Sequence, residues 1–103
     1  MRPEQVLSPQ TRIRGLRVVF TNSDEGWSIA EMEWRHHGTG EWRRRVGMRW
    51  DGAEGELGNP QSSGHPTWFL VPEGDISQMI LEHGESLARQ SAMPRGGDNL
   101  VAR

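Results

Sequence analysis

The chain has 103 residues and carries 12 arginines, no lysine and 14 acidic residues, for a formal net charge of −2. At this length folding buries roughly 65% of the unfolded surface, enough for one modest core. Cysteine is absent, which excludes disulfides, thiolate nucleophiles and cysteine-ligated zinc. No run approaches the ~20 apolar residues of a membrane helix, and Met1 to Arg12 lack the apolar stretch of a secretory signal. We therefore expect one cytoplasmic domain with no membrane contact.

Three segments in the first half alternate apolar and polar residues, as half-buried strands do. They run from Leu16 to Phe20, from Trp27 to Trp34 and from Glu41 to Trp50. Turn-forming residues at 22–26 and 36–40 separate them. Strands that follow one another with such short connections predict an antiparallel sheet.

Facing residues of a hairpin must share one face of the sheet, which suggests a register for each pair of strands. Across the first hairpin, Arg17 faces Glu31. Across the second, Trp34 faces Trp42, which also places Glu31 opposite Arg45. This register gives one mostly apolar face and one charged face, and a slip of two residues would preserve both faces.

The second half begins with a glycine- and proline-rich connection at 51–66, and unstructured loops of that length are often functional. The nearly all-apolar segment 67–71 predicts a short strand that is buried on both faces. A helix is expected from Asp75, with Gln78 at the capping-box spacing. Gly84 is expected to end or weaken this helix.

These elements predict an α+β fold: a four-stranded antiparallel sheet with one C-terminal helix packed on one face. The domain spans 13–88, between a flexible N-terminal extension (1–12) and a flexible C-terminal tail (89–103). Four strands span about 19 Å at ~4.8 Å each, whereas a helix is only about 10–12 Å wide. We therefore expect a homodimer, or a higher oligomer, to cover the rest of the apolar face. The alternative is that the long loop folds back over it.

Three short runs resemble small uncharacterised bacterial proteins of the integron gene-cassette type. They are Gly47-Met48-Arg49-Trp50-Asp51-Gly52, Gly58-Asn59-Pro60 and Gly64-His65-Pro66-Thr67-Trp68-Phe69. The resemblance covers about residues 16–82 and implies a mobile cassette protein without known chemistry.

The element order, the Gly26-Trp27-Ser28 start of the second strand and the proline-led helix resemble the transcriptional-coactivator p15 family. Members of that family are dimeric single-stranded-DNA binders with basic and aromatic residues on the sheet surface. The matching positions here are Arg17, Arg43, Arg45 and Arg49. The sequence departs from that pattern because it has no lysine and places Glu31 and Glu33 among the arginines.

Nucleic-acid binding needs uncompensated cations for phosphate, and often aromatic rings for base stacking. The only basic concentration is 43–45 together with Arg35 and Arg49. The alternative is that Glu31 and Glu33 neutralise these arginines in exposed cross-strand pairs, which contribute about 0–1 kcal/mol each.

Tryptophan side chains offer a second kind of site. Four of them could line a pocket for a planar or cationic small molecule: Trp34, Trp42, Trp50 and Trp68. The alternative is that they anchor the core or an interface.

The sequence gives little indication of a metal site or of catalytic residues. The adjacent His36 and His37 point in different directions, so zinc would need a further ligand such as His65 or Glu41. Ser62 and Ser63 lie near His65, but no spacing specifies an oriented base and an oxyanion site. We therefore predict no catalytic residue, metal or cofactor. The sequence favours a non-enzymatic binding module that forms a homodimer and has single-stranded nucleic acid or a protein as a possible partner.

Overall fold

The computed structural model describes residues 1–92, and residues 93–103 of the predicted tail lie outside this range. In chain order the elements are a 3-10 helix Pro3–Gln5, β1 Ile13–Asn22, β2 Trp27–Arg35, β3 Trp42–Trp50, β4 Gln61–Ser62, β5 His65–Pro66, β6 Phe69–Leu70 and α1 Asp75–Ala92. Strands β1, β2, β3 and β6 form an antiparallel four-stranded sheet in that order, and β4 pairs with β5. The predicted α+β class with one C-terminal helix is confirmed.

The register between β1 and β2 has the predicted partners Arg17 and Glu31 at its centre. On either side of this pair the register shifts by one residue, between Arg14 and Arg17 and again between Val18 and Phe20. Such irregularities bend and twist an edge strand, which makes it a poorer template for pairing with another chain.

The register between β2 and β3 differs from the prediction by one residue. Trp34 lies opposite Arg43 rather than Trp42, and Glu31 lies opposite Val46 rather than Arg45. Because side chains alternate along a strand, this shift exchanges the two faces of β3 relative to β2. The predicted face that combined the tryptophans of both strands is therefore wrong.

The physical reason for this error is that β2 is a central strand with buried residues on both faces. Ile29 is buried on one face, and Ala30 and Met32 are buried on the other. An apolar residue of β3 can therefore match either face of β2, and the hydrophobic pattern does not choose between the two registers.

Helix α1 covers one face of the sheet, here called the helix face, which carries Val19, Ile29 and Val46. A Cβ at Gly84 would lie 3.2 Å from side-chain atoms of Val19 and Ile29, so the glycine allows the helix to approach the sheet closely. Gly84 is buried within a helix that continues to Ala92. The expectation that Gly84 ends the helix is therefore wrong, and part of the predicted tail is helical.

The opposite face, here called the loop face, carries Ala30, Met32 and Gly47. It is covered by the N-terminal residues and by the end of the long loop, where Val6 is 0% and Trp68 is 3% exposed. The Trp68 indole Nε1 donates a hydrogen bond to the Val6 carbonyl at 2.9 Å. The N-terminal residues therefore contribute to this core through Val6, and the long loop folds back over this face, as the alternative to a homodimer expects. The homodimer itself stays a prediction.

Strand β6 pairs with β3 through Leu70 opposite Gly47 and Phe69 opposite Met48. Trp68 is buried, but Phe69 is 59% exposed. The prediction that this segment is buried on both faces is therefore wrong at Phe69, which shares the helix face with Met48.

Candidate binding surface

One end of the helix face is left open and forms a groove of about 510 Å³. We call it the aromatic groove; its walls are Trp27, Met48, Trp50, Pro60 and Phe69. Trp50 and Phe69 are each 59% exposed, while Trp27 and Met48 are half-buried. Side chains of this size are normally sequestered in a core or at an interface.

Strand pairing assembles the groove. Trp27 lies directly opposite Trp50, and Met48 lies directly opposite Phe69, so all four side chains project from the helix face. At the last residue of β3, Trp50 exchanges two backbone hydrogen bonds of 2.7 and 2.9 Å with Asn59. This bridge brings Pro60, the next residue of the loop, to the groove wall.

The ring of Trp27 is held from two sides. Its Nε1 donates to the Glu25 carboxylate at 3.2 Å, and Glu25 is itself fixed by a backbone bond to the Asn22 side chain at 3.0 Å. Phe20 contacts the ring edge-to-face, with centroids 5.6 Å apart. The indole N–H is therefore already satisfied, and the ring presents apolar surface to the groove.

Arg49 borders the groove, but its side chain lies on the loop face and holds the long loop against the sheet there. Its guanidinium donates to the carbonyls of Thr67 (2.5 Å) and Leu57, and its Nε lies 3.4 Å from Asp51 Oδ1. Ser28 Oγ donates to the other Asp51 oxygen at 2.6 Å. Burial lowers the pKa of Arg49, and the charge of Asp51 opposes this shift. The arrangement tethers both ends of the 57–67 segment.

Apolar surface is also exposed on the helix. Ile76 is 53% and Met79 is 66% exposed. Ile80, one turn after Ile76, packs on the same cluster as Trp27 and Met48. The exposed helix residues and the aromatic groove therefore lie on the same side of the sheet.

The four tryptophans proposed as a pocket do not come together. Trp34 is half-buried against the loop-face core, and Trp68 is buried within it. Trp42 lies under the Arg14 guanidinium, 4.1 Å from the ring centroid. Only Trp50 lines the aromatic groove. Sequence reasoning missed Phe69, whose signal was its alternation with Trp68 in a short strand at the sheet edge.

The four arginines proposed for phosphate contact lie on two different faces. Arg17 faces Glu31 on the helix face, whereas Arg43, Arg45 and Arg49 face residues of β2 on the loop face. Arg49 has no exposed side-chain surface. The predicted group therefore does not form one basic surface.

Each of these arginines also has a carboxylate within 4.0 Å. The closest contacts are Arg17–Glu31 at 2.9 Å, Arg43–Glu41 at 3.3 Å, Arg49–Asp51 at 3.4 Å and Arg45–Glu73 at 4.0 Å. The hydrogen bond to Glu31 raises the pKa of Arg17. Their charge is thus largely compensated within the chain.

His36 shapes its own turn in the structure. His36 Nδ1 accepts backbone hydrogen bonds from Gly38 and Thr39, both at 3.2 Å, and so shapes the β2–β3 turn. Within residues 1–92, no three His, Asp or Glu side chains are arranged to hold a metal ion. In the same range, no helix combines the length and apolarity needed to cross a membrane.

No protein-family model matches the chain, and neither a curated protein nor a solved structure matches it. The resemblances to cassette proteins and to the p15 family therefore stay predictions.

Proposed function

We propose that this chain is a non-enzymatic protein–protein interaction module whose contact surface is the aromatic groove. The observation that carries the proposal is the exposure of Trp50 and Phe69, 59% each, beside Trp27 and Met48. Aromatic residues and methionine are enriched at interface cores, and contiguous exposed apolar patches mark interaction sites.

Charge favours a protein partner over nucleic acid. Among the described residues that line the groove, the only charged one is Arg49, and its side chain is buried against Asp51. Phosphate binding requires cations that are free to displace counterions. The aromatic rings therefore have no accessible cation beside them to hold a phosphate backbone.

Shape favours a protein surface over a small molecule. Ligand pockets of this volume usually enclose 70–90% of the ligand surface. Here two of the walls are themselves more than half exposed. An extended apolar surface fits such an open groove better than a compact ligand.

Selection of random linear peptides from a display library tests the proposal. Peptides selected on the wild type are then measured on a Trp50→Ala/Phe69→Ala variant, and on Leu7→Ala as a control. Leu7 is 45% exposed but lies outside the groove. We expect apolar peptides whose affinity falls at least ~30-fold in the double variant, the effect of losing a hot spot, and is unchanged in the control. Binding that survives the double variant would contradict the proposal.

Titration of a labelled single-stranded oligonucleotide at two salt concentrations tests the nucleic-acid alternative. We expect no micromolar binding at physiological salt. Salt-sensitive micromolar binding that an Arg43→Glu/Arg45→Glu variant abolishes would instead assign the function to the arginines.

A further inference from the structure

We infer that the occupant of the aromatic groove is a second copy of this chain. In the resulting two-fold dimer, Ile76 and Met79 of each copy lie against the groove of the other. This inference rests on the proposed function, since it names the partner of the same surface.

The shape of the surface supports self-association. In a two-fold dimer the same patch contributes from both copies, so the patch must be complementary to itself. The helix face offers both parts that this requires: a recess walled by Trp50 and Phe69, and a projecting pair, Ile76 and Met79, on α1. Because both lie on one side of the sheet, a two-fold axis between them brings each recess onto the other copy's projecting pair.

The area of the surface is sufficient. At their observed exposures, Trp50, Phe69, Ile76 and Met79 leave on the order of 500 Å² of apolar surface in water. A standard interface buries roughly 800 Å² per partner, of which about 60% is apolar. Together, the groove walls and the exposed helix residues thus offer about the apolar share of one half of a standard interface.

The charge pattern points the same way. Any charge near a two-fold axis meets its own sign, so a self-associating surface is best left neutral. Among the described residues, the groove walls carry no exposed charge, because Arg49 is buried with Asp51. Glu25, the exposed carboxylate beside Trp27, keeps its charge but is held at the rim by the indole and by Asn22. Among residues 1–92, no exposed charge within the groove itself selects a foreign partner, and the nearest acidic residues on the helix, Asp75 and Glu82, lie within one turn of Met79.

Sedimentation equilibrium of the full chain, from low micromolar to several hundred micromolar, is the first test. We expect the mass to rise reversibly from 11.7 kDa to twice that value, with a dissociation constant in the micromolar range. Trp50→Glu and Met79→Arg should each weaken association at least ~30-fold. Leu7→Glu, the matched control outside the patch, should not. Circular dichroism checks that every variant is folded.

Mixing the two variants gives the sharpest result. In a dimer of one Trp50→Glu copy and one Met79→Arg copy, opposite charges face each other at one contact while the other contact is native. We therefore expect the mixture to associate more tightly than either variant alone. A mixture that associates no more tightly than the single variants overturns the proposed arrangement.

The remaining outcomes separate this inference from the proposed function. A monomer at every concentration overturns the second copy as occupant. Peptides that depend on Trp50 would then still support the interaction surface, and their absence would end that proposal as well. A dimer insensitive to both variants overturns the inference by placing the interface elsewhere.

Discussion

Trp68 and Trp50 are the same residue type in opposite environments. Trp68 is 3% exposed on the loop face, where the N-terminal residues and the returning loop cover it. Trp50 is 59% exposed on the helix face, where one helix is the cover. Within residues 1–92, the N-terminal residues and the loop cover the loop face, whereas a helix narrower than the sheet leaves one end of the helix face open.

The largest expected loss of stability comes from a substitution in the core of the loop face. Trp68→Ala should lower the free energy of unfolding by about 3–5 kcal/mol, because it opens a cavity and frees the Val6 carbonyl. Trp50→Ala should change it by less than about 1 kcal/mol. Urea denaturation measures both, with Trp68→Phe as a milder variant if the alanine protein does not fold. Equal losses at the two positions would contradict the claim that Trp68 is part of the core and Trp50 is not.

The buried pair behind the loop should give the next largest effect. Asp51→Ala leaves the Arg49 guanidinium buried without its counter-charge, which should cost about 3–5 kcal/mol. Adding Arg49→Met should recover much of that loss, because no buried charge is then left unpaired. A double-mutant cycle in urea measures the coupling. A double variant that simply adds the two single losses would show that the pair does not act as a unit.

Two of the buried glycines, Gly47 and Gly84, should differ from each other in their tolerance of alanine. A Cβ at Gly47 would lie 2.8 Å from Met32 Cε and 3.0 Å from Trp68 Cβ, so Gly47→Ala should lose about 1–3 kcal/mol. At Gly84 the contacts are looser, at 3.2 Å, and alanine favours the helix by about 1 kcal/mol. Gly84→Ala should therefore be nearly neutral in thermal melts. A larger loss at Gly84 than at Gly47 would show that the helix face is the tighter of the two.

The smallest expected effect lies at the surface ion pairs. Arg17 is half-exposed and contacts Glu31 at 2.9 Å, so Arg17→Gln should cost less than about 1 kcal/mol. The difference from the wild type should shrink further in 1 M salt, where the screening length is about 3 Å. A loss that is large and independent of salt would mean that the pair contributes to the fold by more than exposed electrostatics.

Local signals were enough to predict the class of the fold. Alternation and turn residues located the three long strands and the order in which these three pair, because each signal lies within one strand or one turn. The prediction of which β3 side chains share a face with those of β2 was wrong, because β2 buries Ile29 on one side and Met32 on the other. A rule that assumes one buried face cannot choose between such registers.

The exposure of individual side chains depends on contacts that no local pattern contains. Trp68 is sealed by Val6, a residue 62 positions earlier in the chain. Arg49 looks like a surface cation in a run of arginines, yet carbonyls of the returning loop enclose it. Residue type therefore predicted that some tryptophans would lie at a surface, but not that Trp50 would do so beside Phe69.

The most direct test of the central claim is fluorine NMR of the chain labelled with 5-fluorotryptophan, which gives one signal for each of its five indoles. Trp50→Phe and Trp68→Phe assign the two signals that matter. As the protein concentration rises from micromolar to millimolar, we expect the Trp50 signal to move while the Trp68 signal stays fixed. A Trp50 signal that is constant across this range would contradict a second copy in the aromatic groove.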